Sequence, residues 1–137
     1  MANSIRKAKY YKTFVPNQAG QGAKLLSGLK GKGVNLLAFS GFPAGGKSQL
    51  DFIPEKPSAF ERAAKKAGVK FSGGKPCFVI QGKDKPGAMA KIMQKLAKAK
   101  VSIIALDGVA AGKKRYGAIL WVKPKDFSRT SRALGAR

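Results

Sequence analysis

The chain has 137 residues, enough for one compact domain or two small ones, and 44% of them are apolar, enough for a core. It contains no His and a single Cys, which excludes a His base, a His-ligated metal, a disulfide framework and a Cys-built zinc site. Twenty-eight Lys and Arg stand against six Asp and Glu, a formal charge of +22 that predicts attraction to polyanions and says nothing about fold.

The first residues, Met1 to Lys7, include no apolar stretch of signal-peptide length. No run approaches the roughly 20 apolar residues of a membrane span. A soluble, cytoplasmic protein is expected, with residues 1–9 as a basic tail. Tyr10 to Val15 then reads as a strand, and a loop with Pro16 and Gly20 follows it. Leu25, Leu26 and Leu29 mark one face of a helix. Val34 to Phe39 and Ser48 to Ile53 read as a hairpin, Phe60, Ala63, Ala64 and Ala67 as a second helix, and Val69 to Phe71 as a closing strand.

The hairpin contains Gly41-Phe42-Pro43-Ala44-Gly45-Gly46-Lys47-Ser48, which satisfies the phosphate-loop pattern G-x-x-x-x-G-K-[ST]. That loop must open a helix whose N-terminus faces the phosphates. Here Gln49 to Ile53 alternates like a strand and stops at Pro54, so the pattern is read as a turn.

The second half of the chain repeats the first. Cys77 to Gln81 is a strand, and a loop from Gly82 to Met89 follows. Met89, Ile92, Met93, Leu96 and Ala97 share a helical face. Val101 to Leu106 and Tyr116 to Val122 form a second hairpin, and Phe127, Thr130, Ser131 and Leu134 a weakly apolar helix. The correspondence holds at a constant offset of 67 residues: Gly20 with Gly87, Leu29 with Leu96, Leu36-Leu37-Ala38 with Ile103-Ile104-Ala105, Gly68 with Gly135.

The expected fold is therefore α+β: two ferredoxin-like βαββαβ repeats, over 10–74 and 75–137, with antiparallel sheets and helices on one face. The second repeat lacks its last strand. The open edge this leaves predicts a homodimer.

Lys114 to Trp121 partly resembles the RNP signature of RNA-recognition folds, with Phe78 on a neighbouring strand. Arg115 stands at the glycine position and Ala118 at a stacking position. Tyr116 and Trp121 fall on opposite faces of an ideal strand. The other informative loop is Asp84-Lys85-Pro86-Gly87. Pro and Gly make a tight turn into a helix, whose free N–H groups suit a carboxylate. Asp84 suits an ammonium group or a helix cap. Asn17 and Gly20 stand at the matching places of the first repeat.

These residues resemble the ACT domain, a small-molecule-binding regulatory module of βαββαβ topology. Its pattern of strand, D-x-P-G, amphipathic helix and apolar strand is met by Phe78-Val79-Ile80, Asp84-Lys85-Pro86-Gly87, Ile92 with Leu96, and Val101-Ser102-Ile103. The first repeat matches through Leu25, Leu29 and Gly33-Val34-Asn35-Leu36, and departs at Asn17-Gln18-Ala19-Gly20. The resemblance implies a non-enzymatic regulatory or sensor protein that binds an amino acid or similar small ligand at an interface between ACT units; no cofactor and no metal are expected. It selects Asp84, Pro86, Gly87 and Ala88 on the loop side and Ser102 and Ile103 on the strand side, with Asn17, Gly20 and Asn35 as first-repeat equivalents. It implies a separate regulated protein as partner. The rival expectation is an RNA- or polyanion-binding protein driven by the +22 charge.

Overall fold

The computed structural model describes residues 4–137. Its elements are β1 (Ser4–Pro16), α1 (Gln21–Lys30), β2 (Leu36–Ala44), β3 (Lys47–Pro54), α2 (Pro57–Ala67), β4 (Lys75–Lys83), α3 (Ala88–Lys98), β5 (Ile103–Ala110), β6 (Arg115–Val122) and α4 (Phe127–Leu134). The chain divides into two compact units. One is Lys9–Lys75; the other is Pro76–Arg137 with the described residues up to Ala8. Strand β1 contributes to both, and it starts at Ser4 rather than at Tyr10.

In the Lys9–Lys75 unit, β3 pairs antiparallel with β1 on one side and β2 on the other. The β2–β3 turn is Gly45-Gly46, with φ of 58° and 81°. Two successive left-handed residues make the tight turn whose twist suits a hairpin, and glycine adopts them without strain. Lys47 and Ser48 therefore begin a strand, and the phosphate-loop pattern is a hairpin turn. Tyr11, Leu50 and Phe52 from the sheet pack with Leu29 of α1 and Phe60, Ala63 and Ala64 of α2. Phe71 joins them, its ring centroid 5.2 Å from Phe52 and 4.9 Å from Phe60.

The expected closing strand at Val69 to Phe71 does not form a ladder. The segment runs beside β1 through mixed bonds. Ser72 N donates to the Lys12 carbonyl at 2.9 Å, the Lys12 amide donates to Ser72 Oγ, and Thr13 Oγ1 donates to the Lys70 carbonyl. Side-chain oxygens take the places of backbone groups, so a regular ladder cannot propagate.

In the other unit β6 pairs antiparallel with β4 and β5, and β4 has β1 as its further neighbour. Phe78, Ile80, Tyr116, Ala118, Leu120 and Val122 alternate along the strands onto one face. They pack there against Ile92 and Leu96 of α3 and Leu134 of α4, with Ile5 of β1 in the same core. No strand follows α4 among the described residues. Arg137 instead brackets β1: its amide donates to the Ile5 carbonyl at 2.9 Å, and its carbonyl accepts from Lys7 N at 2.8 Å.

Candidate functional site

The loop from Asp84 to Gly87 leaves β4 and turns into α3. Gly87 takes the turn at φ 82° as the N-cap residue. A Cβ there would meet nothing within 4 Å, so backbone conformation and not crowding demands glycine. No side chain of the described residues caps α3. The Ala88 amide turns back to the Lys85 carbonyl, and the first regular helical bond runs from Lys91 N to the Gly87 carbonyl. The amides of Met89 and Ala90 lie ahead of that bond, at the partially positive end of the helix.

Asp84 is held by its main chain, whose amide donates to the Lys114 carbonyl at 2.8 Å. That bond ties the loop to the β5–β6 turn. Its carboxylate is exposed and makes no ion pair among the described residues.

The loop, the start of α3 and β5 enclose a groove of about 580 Å³. Asp84, Lys85, Gly87 and Ala88 form its loop side, and Met89 and Ala90 its helix side. Leu106, Gly108, Val109 and Ala110 form the strand side, with Tyr116 of β6 beyond them. Gly108 keeps the wall low: a Cβ there would lie 3.6 Å from Met89 Sδ and 3.7 Å from Ala118 Cβ. The volume falls in the range of small-ligand sites.

The structure brings Asp84, Gly87 and Ala88 to this groove, with Pro86 inside the same turn. It does not bring Ser102 and Ile103 there. Ser102 precedes β5 and is exposed, while Ile103 packs against the core opposite Val122. They sit at the far end of β5, and the groove meets the strand at Leu106 to Ala110. Leu106 to Ala110, Met89 and Tyr116 were not singled out as site residues from sequence. Small residues at 108 and 110 beside a Tyr on the next strand are the only signal for them, and core packing explains that pattern equally well.

The Lys9–Lys75 unit places its counterparts differently. Gly20 is the N-cap of α1 at φ 88°. Asn17 is engaged, its Oδ1 accepting from Ser48 Oγ at 3.1 Å. Asn35 is exposed and its carbonyl accepts from Glu55 N. Gln49, the counterpart of Tyr116, donates to Asp51 Oδ1. Phe39, the counterpart of Leu106, packs edge-on against Phe52 at 5.1 Å. Asn17 and Gln49 are thus engaged within the unit, and an aromatic ring stands where the second repeat has Leu106. This unit's cavity of about 540 Å³ lies elsewhere, between β1, α1 and Ala67–Lys70.

The RNP-like aromatics are closed to bases. Phe78 and Tyr116 are in the core and Trp121 is buried. A stacking platform needs exposed rings, so RNA recognition of that kind is not available on these strands. Among the described residues no group of three or more His, Cys, Asp or Glu is placed to hold a metal ion. No described helix is long and apolar enough to cross a membrane.

No family model and no curated protein matches the chain. Solved structures do. A protein from Bacteroides thetaiotaomicron superimposes with a TM-score of 0.81 at 20% identity, over 96% of this chain and 88% of that one. The regulatory subunit of aspartate kinase from Thermus thermophilus, in its ligand-free form, gives 0.63 at 18% identity, over 98% and 93%. A putative C-terminal regulatory domain of aspartate kinase from Porphyromonas gingivalis gives 0.55 at 13% identity, over 98% and 94%. The fold is the tandem ACT fold. Each repeat has its own helix-backed core, and the loop groove belongs to the second repeat.

Proposed function

We propose that this chain is a non-enzymatic regulatory module that binds an amino acid in the groove of the second repeat. The observation that carries the reading is a juxtaposition at one end of α3. An unpaired carboxylate, Asp84, stands beside helix amides that no side chain caps. An α-amino acid offers the matching pair of charges, ammonium to Asp84 and carboxylate to the α3 amides. Pro86, Gly87 and Ala88 shape that approach. Ser102 and Ile103 remain candidates for the strand side of a site shared with a neighbouring ACT unit, with Asn17, Gly20 and Asn35 in its first-repeat equivalent. The aspartate kinase structures of the same fold are named as regulatory parts, which supports regulation of a separate partner protein.

The module acts as a homodimer in this reading. Strands β2 and β5 each pair on one side only, and they carry exposed Phe39, Phe42, Ile104 and Val109. Apolar side chains along an unpaired edge favour a second chain. A monomer by light scattering at micromolar concentration would overturn the dimer.

A thermal-shift panel of the twenty amino acids at millimolar concentration tests the binding. A ligand at about 100 times its Kd stabilises by roughly 2.7 kcal/mol, a rise of several degrees. A rise with one chemically related group supports the reading, and no rise with any amino acid overturns it.

A further inference from the structure

Tyr116 has no role in the loop chemistry just described, yet it lines the same groove. It is 5% exposed, and its hydroxyl is buried with no hydrogen-bond partner among the described residues. Buried hydroxyls are almost always paired, because an unpaired one forfeits its bonds to water and recovers nothing. The residues around it on the groove side are apolar: Met89, Leu106 and Ala110. Packing alone would be served by Phe.

We infer that the Tyr116 hydroxyl reads the side chain of the bound amino acid, selecting one that ends in an oxygen acceptor. This rests on the amino-acid reading of the groove. The main-chain charges of the ligand are met at the mouth, by Asp84 and the start of α3. Its side chain then points along β5 toward β6, where Tyr116 lies. Burial raises the Tyr116 pKa, so the phenol is protonated at neutral pH and donates. The Arg115 guanidinium makes the surroundings of that hydroxyl positive, which favours an oxygen over a second donor. Met89 is the adaptable part of the wall. Its unbranched thioether lies over Gly108, where no Cβ confines it, and it can change rotamer as a side chain enters. A ligand with an apolar side chain of the same shape would leave the hydroxyl unpaired, and sites built around a buried polar group reject such analogues strongly.

The test is calorimetry of the full chain with L-threonine against L-valine and L-asparagine against L-leucine, each pair close in shape. The wild type should bind the oxygen-bearing member of at least one pair tenfold or more tightly. Tyr116→Phe should remove that preference while leaving affinity for the apolar member within about twofold. It should also leave the ligand-free melting temperature unchanged or higher, since no hydrogen bond is lost. Amino-acid binding without an oxygen preference, or a preference that survives in Tyr116→Phe, overturns the role of Tyr116 and leaves the groove reading standing. Absence of binding by any amino acid overturns both.

Discussion

Gly87→Asp separates the charge of the groove mouth from its shape. Two effects are expected, of different origin. Gly87 sits at φ 82°, where an L-residue is strained by about 1–2 kcal/mol, less for Asp and Asn. A Cβ there meets no atom within 4 Å, so the branch point adds no steric cost to it. The fold should therefore survive with a melting temperature lower by roughly 2–5 °C. Binding should suffer more. A new carboxylate about 4 Å from the ligand's would repel it by about 1 kcal/mol in water and about 4 kcal/mol at an effective dielectric of 20. The loop is exposed, which favours the lower half of that span, or a loss of about 5- to 70-fold in affinity. Gly87→Asn has nearly the same shape and backbone tolerance without the charge. Calorimetry with the best amino acid should rank the wild type first, Asn slightly weaker, and Asp far weaker, with the Asp penalty shrinking at high salt. Equal losses for Asn and Asp would show that shape governs the site, and the carboxylate assignment at α3 would fall.

Other outcomes follow from the same structure. Ile5 is buried in the second repeat's core, whereas Ile104 is 59% exposed on an edge strand. Ile5→Ala should cost about 2–5 kcal/mol in urea unfolding and Ile104→Ala less than about 0.5 kcal/mol. Comparable losses would mean that β1 is not part of that core. Phe52→Ala removes a fully buried ring in contact with Phe39 and Phe71 and should cost about 3–5 kcal/mol, read in the same assay. Burial raises the pKa of Asp51, against the pull of Gln49 and Lys12. The folded state thus holds that proton to higher pH than the unfolded chain, and the group costs stability as pH rises through the folded pKa. The stability gain of Asp51→Asn should accordingly be larger at pH 8 than at pH 4 in paired thermal melts; a constant difference would contradict the burial argument. Any association with nucleic acid should be phosphate-driven, with affinity falling steeply between 50 and 200 mM salt in fluorescence anisotropy. A flat salt dependence would remove the +22 charge as its cause.

Much of this molecule was legible in its sequence, because much of it is local. The 67-residue offset showed two copies of one unit, and helical spacing gave the buried faces of α1 and α3. Asp84-Lys85-Pro86-Gly87 marked the turn into α3, since Pro and Gly have few other uses at that spacing. Strand against helix after Lys47 followed from alternation in Gln49 to Ile53.

Tertiary structure decided the rest. Residues 4–8 join the second repeat's unit because Ile5 packs into its core and the Arg137 backbone bonds to Ile5 and Lys7. Nothing local in Ile5-Arg6-Lys7 specifies a partner more than 70 residues away. The Val69–Phe71 segment failed to pair as a strand because the Ser72 hydroxyl took the Lys12 amide, a competition visible only once the two are adjacent. The strand side of the groove fell at Leu106 to Ala110 because register places that end of β5 beside the loop. The unpaired phenol of Tyr116 was the least predictable feature. Any Tyr in an alternating strand looks like a core residue, and only the full set of neighbours shows whether its hydroxyl has a partner.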